Sequence, residues 1–390
     1  MLNFTMSLPT EVYFGRDMIN SLPEYIKKHG GTRVLLAYGG GSIRKNGIYD
    51  KIVSLLNENG IEFKELSGIK PNPRISSVRE GIKIIRDNKL DFILAAGGGS
   101  VIDACKGIAA GCTYDGDPWD FYLRKTSLEK KPLPIGVILT LAATGSETNW
   151  GTVISDDITQ RKLPFRHEFL RPKFAVLDPV YTYSVPKYHT AAGITDIMAH
   201  VFEQYFSPTT TAYLTDRMAE AVMRTVIHYA PNVMEDPEDY EARANILFAG
   251  TLALNQLLSY GKTTDWATHM IEHEVSAIYD ISHGAGLAVL FPNWMKYVLE
   301  EDNLQKFIDY AVNVWDVNET GKSRLDIALE GIERTREFFD FLDMPSSLSE
   351  FGIDNKRLEE MAEKAVVFGE LGTFKKLGKK DVLEILKNSR

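Results

Sequence analysis

Cysteine is nearly absent: Cys105 and Cys112 are the only two in 390 residues, and both lie in an apolar stretch. That excludes a secreted disulfide scaffold and makes a reducing cytoplasm the expected setting. The first residues, MLNFTMSLPTEVYFG, hold no basic region leading into a long apolar run, so no signal peptide is expected. The apolar stretch Ile135–Ala143 is far too short to span a bilayer, so no membrane partner is expected either. There is no excess of positive charge. The net charge is -9 and no Lys/Arg block forms a basic patch, which argues against a nucleic-acid partner. Internal repeats and low-complexity segments are missing as well, and the apolar and charged fractions are those of a globular protein.

What is present divides near Pro186. Before it, short apolar runs alternate with helical patterns. Arg33–Ala37 reads as a buried strand ending in Gly39-Gly40-Gly41-Ser42, and Asn46–Asn59 carries a helical stripe. Glu62–Leu66 reads as a strand closed by Pro71-Asn72-Pro73, and Ile75–Asp87 as a helix. Asp91–Ala96 reads as a strand running into Gly97-Gly98-Gly99-Ser100, with a helix beginning at once in VIDACKGIAAGC. Pro134–Leu141 reads as a further buried strand, ending in Ala143-Thr144-Gly145-Ser146-Glu147. Thr152–Ser155 and Phe174–Leu177 are expected as extra strands, with a hairpin as their candidate pairing. Strands alternating with helices predict a parallel sheet wrapped by helices, which binds ligands at the carboxyl ends of its strands. After Pro186 only long amphipathic segments remain, such as Thr195–Phe206, Tyr213–Tyr229, Tyr240–Ser259 and Leu325–Leu342. The expected organisation is an α/β domain over 1–186 and an all-helical domain over 187–390, with a short closing helix at the end.

Two kinds of feature carry chemistry. The glycine runs let backbone approach a pyrophosphate, whose charge the following helix's first N–H groups and dipole attract. Neither run fits G-x-G-x-x-G, so the usual dinucleotide fingerprint is missing. Asp103, in the first turn after the second run, is placed either to meet a ribose hydroxyl or to face solvent. The other feature is histidine. Three of the eight fall in Asp265–Gly286: His269 and His273 share a helix face, and His283 sits at a break. Asp196 and His200, four apart among apolar neighbours, form a second pair, and a buried carboxylate needs a partner. An Asp with two or three His suits a first-row divalent ion with an open position for substrate. Spacing leaves open which of His269, His273 and His283 are ligands. His29, His167, His189 and His228 stand alone.

Taken together, YGGGS at Tyr38–Ser42, PNP at Pro71–Pro73, GGGSVID at Gly97–Asp103, ATGSE at Ala143–Glu147, LDPVYTYSVP at Leu177–Pro186, the Asp196/His200 pair, and DWATHMIEHE with the later SHGAG point to one family. The chain resembles the iron-dependent (group III) alcohol dehydrogenases, most of all their NAD(P)H-dependent butanol dehydrogenase and aldehyde reductase branch. The match runs in family order over nearly the whole chain.

The resemblance implies a Rossmann-like α/β domain that binds the dinucleotide and an all-α domain that binds the metal, in a dehydroquinate synthase-like fold. It implies Asp196, His200, His269 and His283 as ligands of Fe2+, with Zn2+ or Mn2+ as alternatives. His273 is implied in the substrate and nicotinamide pocket, as a non-ligand able to relay a proton. Gly98, Gly99, Ser100 and Asp103 would meet the pyrophosphate and ribose. Thr140, Thr144 and Asn149 would line the nicotinamide side, with Lys162 and Tyr181 farther along, and Gly40, Ser42 and Asn72 complete the cofactor set. Where the family often places an acidic residue for NAD, small residues stand at Gly39–Ser42, followed by Arg44 and Lys45, so NADP(H) is expected over NAD. The loop Thr140–Thr144 departs from a fixed family pattern. The expected reaction is hydride transfer between NADP(H) and short to medium aliphatic alcohols or aldehydes, in a possible homodimer. The rival is a metal- and NAD-dependent lyase of the dehydroquinate synthase-like fold, which would want a strongly basic pocket; apolar neighbours such as Trp150, Phe202 and Trp266 speak against it.

Overall fold

The computed structural model describes residues 1–390, which form two compact units. One comprises Ser7–Val185 with Pro237–Asn255; the other comprises Met1–Met6, Pro186–Asp236 and Gln256–Arg390. The helix Tyr240–Leu254, which falls inside the expected helical half, therefore groups with the sheet-bearing residues. Within that unit Thr251 donates to the Glu147 carboxylate at 2.7 Å, and Phe248 packs edge-on against Phe14.

The sheet has six parallel strands in the order β1-β8-β5-β4-β2-β3. These are β1 Glu11–Phe14, β2 Arg33–Tyr38, β3 Glu62–Leu66, β4 Phe92–Gly97, β5 Ile135–Leu139 and β8 Phe174–Leu177. The central strands read FILAAG, IGVIL and FAVL, continuous apolar runs, because helices cover both faces and no side chain meets water. Alternate residues serve opposite layers. Leu35, Ile93, Ala95 and Val137 point toward the helices Ile75–Asn88 and Gly99–Gly111, while Val34, Leu36, Phe92 and Leu94 point toward the helix Ile48–Glu58. Gly136 is required where β5 passes β8, since a Cβ there would lie 2.3 Å from the Phe174 ring.

The hairpin expectation is corrected. Thr152–Ser155 lies in β6 (Gly151–Asp156) and pairs with β7 (Arg161–Arg166), whereas Phe174–Leu177 joins the parallel sheet as β8, between β1 and β5. FAVL has no polar alternation, and a strand buried on both faces belongs in the sheet centre. The edge strand β1 and the second hairpin strand β7 carry too little pattern to stand out: EVYF is short, and RKLPFR holds a proline.

The helical unit is built around the helix Lys187–Tyr205, in which every residue from Thr190 to Tyr205 is buried. A helix buried all round shows little amphipathic pattern, which is why its first turns escape notice before Thr195. Aromatic side chains fill the space beside it: Phe202 packs edge-on against Phe291 and Tyr310, and Phe206 against Trp294. The chain ends in the helix Lys379–Asn388. No helix is long and apolar enough to cross a membrane.

Candidate active site

The helical unit gathers four donors around one point. The buried helix Lys187–Tyr205 carries Asp196 and His200 one turn apart. The helix Ala267–Tyr279 carries His269 and His273, and His283 opens the helix His283–Val298. From Asp196 Oδ1, His200 Nδ1 lies at 3.5 Å, His283 Nε2 at 3.7 Å and His269 Nε2 at 3.9 Å. Donors at about 2.0–2.2 Å from a tetrahedral ion stand roughly 3.4 Å from one another, so the spacing suits a first-row divalent metal. Asp196 Oδ1, His200 Nδ1 and His269 Nε2 are buried with no hydrogen-bond partner in the protein. Three orphaned polar atoms aimed at each other would cost several kcal/mol unless a cation satisfied them. Burial pushes the His200 imidazole down to about 3, so it stays neutral and keeps its lone pairs for a ligand bond. His283 is the most accessible of the ring set, at 22% side-chain exposure, so the open side of the cluster lies with it.

Local sequence explains the convergence. A Cβ at Gly284 would lie 2.0 Å from the Ala192 carbonyl oxygen, so only glycine lets the His283 helix cross this close to the Asp196 helix. Trp266 takes a left-handed φ of 75° just before the His269 helix, a strained position for a bulky residue beside a functional cluster.

The histidines are also held from behind. His269 Nδ1 donates to Glu203 Oε1 at 2.8 Å, and the Glu203 carboxylate accepts the backbone N–H of His269 at 3.0 Å and of Trp266 at 2.5 Å. His283 Nδ1 donates to Glu272 Oε2, and Ser276 Oγ donates to Glu272 Oε1. Glu272, His273 and His283 form a second close group of donors. Because His283 spends Nδ1 on Glu272, its Nε2 is the nitrogen left to face Asp196, beside the group of Asp196, His200 and His269. His273 lies beside it, its ring 5.6 Å from that of His283. Glu203 and Glu272 are site residues that the sequence motifs do not single out; acids inside apolar helices, one three residues after His200 and one just before His273, are the only signal they leave.

The cofactor candidates of the sheet unit follow the carboxyl ends of β2, β3, β4, β5 and β8, where open parallel sheets bind ligands. After β2, Gly40 faces open space and Ser42 starts a single helical turn. Arg44 is not free there: it donates to Glu65 at 2.9 Å and stacks 3.7 Å over Tyr49. After β3 comes Asn72, at a left-handed φ of 50°. After β4, Gly98 caps the helix Gly99–Gly111, whose first turn contains Ser100. A Cβ at Gly99 would lie 2.4 Å from Thr144 Oγ1, so the loop after β5 closes directly on this turn. The Thr140 N–H, donating to the Gly97 carbonyl at 3.2 Å, adds a second tie. Tyr181 follows β8 in the turn Pro179–Thr182, and Lys162 lies buried on β7.

Asp103 does not simply face solvent: it is partly buried, and its carboxylate accepts Ser146 Oγ at 2.5 Å and the Val153 N–H at 2.8 Å, which ties it to the loop after β5 and to the hairpin. Burial raises its pKa, against the pull of Lys106. Lys106, which no motif marks, is fully buried and donates to Ser146 Oγ (2.9 Å), Asn149 Oδ1 (2.9 Å) and the Gly151 carbonyl (2.8 Å). Asn149 is thus anchored by a lysine, whose one trace in the sequence is a lone Lys in an apolar helix.

Comparison with known proteins shows the family. The model of the iron-containing alcohol dehydrogenases matches residues 9–179, and that of the C-terminal part of the Fe-containing alcohol dehydrogenase family matches 190–390. NADH-dependent butanol dehydrogenase B of Clostridium acetobutylicum is 51% identical, with both chains covered in full. The NADPH-dependent aldehyde reductase YqhD of Escherichia coli is 39% identical over 93% of each chain. The crystal structure of NADH-dependent butanol dehydrogenase A from Thermotoga maritima superimposes with a TM-score of 0.95 at 38% identity, covering 100% of this chain and 99% of that one. Matched in both halves by the family's models and end to end by such relatives, the chain belongs to the iron-containing alcohol dehydrogenase family and is an NAD(P)-dependent oxidoreductase of the alcohol dehydrogenase class.

Proposed function

We propose that the protein interconverts short to medium aliphatic aldehydes and alcohols using NADP(H) and one divalent metal held by Asp196, His200, His269 and His283. The observation that carries this is the convergence of His200 Nδ1, His269 Nε2 and His283 Nε2 on Asp196 Oδ1. These four side chains would hold a divalent ion, whose Lewis acidity would contribute several kcal/mol to hydride transfer. Fe2+ is the expected ion, one carboxylate and three imidazoles also suiting Zn2+. The rings of Trp266 and Phe291, 5.4 Å and 6.2 Å from that of His269, make the surroundings apolar and favour an aliphatic substrate. His273, beside the most accessible ligand, is read as the group that relays the proton to or from the alcohol oxygen.

The glycine turn after β4 is read as the pyrophosphate seat, using the first N–H groups of the helix Gly99–Gly111. Gly98, Gly99, Ser100, Thr140, Thr144, Asn149, Lys162 and Tyr181 would hold the dinucleotide, with Gly40, Ser42 and Asn72 toward its adenosine end. Asp103, its carboxylate held by Ser146 Oγ, would complete the set at the ribose. NADP(H) is favoured by the open space at Gly40, the Ser42 hydroxyl and Lys45. Arg44 adds charge but is shared with Glu65. The free thiols of Cys105 and Cys112 fit a cytoplasmic protein, and the unpaired edge of β1 fits a homodimer, which sedimentation would reveal.

Butanal reduction, assayed anaerobically with NADPH and with NADH alongside metal analysis, tests the reading. The wild type should carry about one metal per chain and turn over faster at low NADPH than at low NADH. His269→Ala should lose both metal and turnover. Full metal occupancy with normal aldehyde reduction in that variant would sink the ligand set, and a preference for NADH would sink the cofactor choice.

A further inference from the structure

Two fully buried carboxylates, Glu203 and Glu272, stand behind the histidine cluster. Each accepts from the Nδ1 of one histidine, His269 and His283 respectively, whose Nε2 faces Asp196 Oδ1. Glu272 is given room by a glycine, since a Cβ at Gly286 would lie 2.9 Å from its Oε1. A carboxylate on the far nitrogen of a histidine fixes the tautomer, aims the other nitrogen, and makes the ring a stronger donor. With Asp196, the site then gathers three acidic groups around one dication, so a metal-free cluster is a concentration of buried negative charge.

We propose that Glu203 and Glu272 are positioning residues that set how tightly the metal is held, acting on it through His269 and His283 and touching neither substrate nor cofactor. The inference rests on the metal site proposed above. It requires the carboxylate charge to stabilise the loaded site and to destabilise the empty one. A residue that merely packs would affect both states in the same direction.

Glu272 offers the cleaner test. In Glu272→Gln the amide oxygen can still accept from His283 Nδ1, and the NH2 can donate to Ser276 Oγ, whose hydroxyl can turn toward the Ile281 carbonyl 3.4 Å away. At Glu203 the same change would set an NH2 against the Trp266 N–H. The full-length protein is stripped with chelator, and the Zn2+ dissociation constant is measured by competition for wild type, E272Q and E272L. Thermal unfolding is followed with and without the ion. E272Q should weaken Zn2+ binding about 10-fold and E272L about 100-fold, the range that such partners carry. The metal-free variants should melt at or above the metal-free wild type, while the loaded variants melt below the loaded wild type. Wild-type affinity in E272Q, or an equal loss of melting temperature with and without Zn2+, would overturn the inference. A wild type that binds no Zn2+ would overturn the metal site itself, and this inference with it.

Discussion

Replacing Lys106 with Met should unsettle the sheet unit more than any surface change, and the pH dependence of the effect should identify the cause. The ammonium is fully buried and serves three acceptors, Ser146 Oγ, Asn149 Oδ1 and the Gly151 carbonyl. Burial pushes its pKa down to about 8 from 10.5, with Asp103 and Glu147 pulling upward and Arg171 pushing further down. Methionine fills similar space, yet it leaves those three acceptors without their donor and removes the positive charge that acts on Asp103 and Glu147. Breaking a buried ionic network in this way costs about 3–5 kcal/mol. The lysine itself carries a linkage signature. Its folded pKa lies below its unfolded one, so between pH 8 and 10.5 the unfolded chain binds more protons and stability rises with pH. The full shift corresponds to about 3 kcal/mol, of which about 2 should develop between pH 7.5 and 9.5. Urea unfolding of both proteins, followed by circular dichroism across that range, should show the wild type more stable by about 3–5 kcal/mol at pH 7.5 and the gap widening as pH rises. A variant as stable as wild type at pH 7.5, or a gap that stays flat or closes, would refute this role for the lysine.

Gly99→Ala should force Thr144 away from the turn, because the added Cβ would sit 2.4 Å from Thr144 Oγ1. The expected outcome is a stability loss of about 1–3 kcal/mol and a raised KM for the dinucleotide, with metal content unchanged. Gly284→Ala meets the Ala192 backbone, which cannot swing aside as a side chain can, so His283 must move; metal content by elemental analysis should fall together with the melting temperature. Thr251→Val removes the hydroxyl that donates to buried Glu147 and should lower stability by about 1–3 kcal/mol in urea titration, without altering metal binding.

Much of the architecture is legible from local pattern. Strands β2, β4 and β5 stand out because a short apolar run gains most by lying buried in a sheet, and β2 and β4 run straight into glycine turns. The strands that escape notice are those whose identity depends on a neighbour. FAVL at Phe174–Leu177 is a strand in any case, yet only its slot between β1 and β5 makes it parallel and not half of a hairpin. The helix Tyr240–Leu254 looks like its neighbours in the chain, and only Thr251 meeting Glu147 and Tyr240 meeting Arg16 assign it to the sheet unit.

At the site, the residue types were decided by the sequence alone. An Asp and a His one turn apart, a second His pair and a His at a helix start limit the chemistry to a metal or a proton relay, because those side chains are costly to bury otherwise. Which nitrogen of each ring faces Asp196 was decided only in three dimensions, by Glu203 behind His269 and Glu272 behind His283. The same holds for the partners of Asp103: spacing leaves it between ribose and solvent, and only the fold brings its carboxylate to Ser146 Oγ and the Val153 N–H. Spacing along a helix specifies which face a side chain shares, but the partner on the opposing element sits tens of residues away, and only packing brings the two within hydrogen-bond reach.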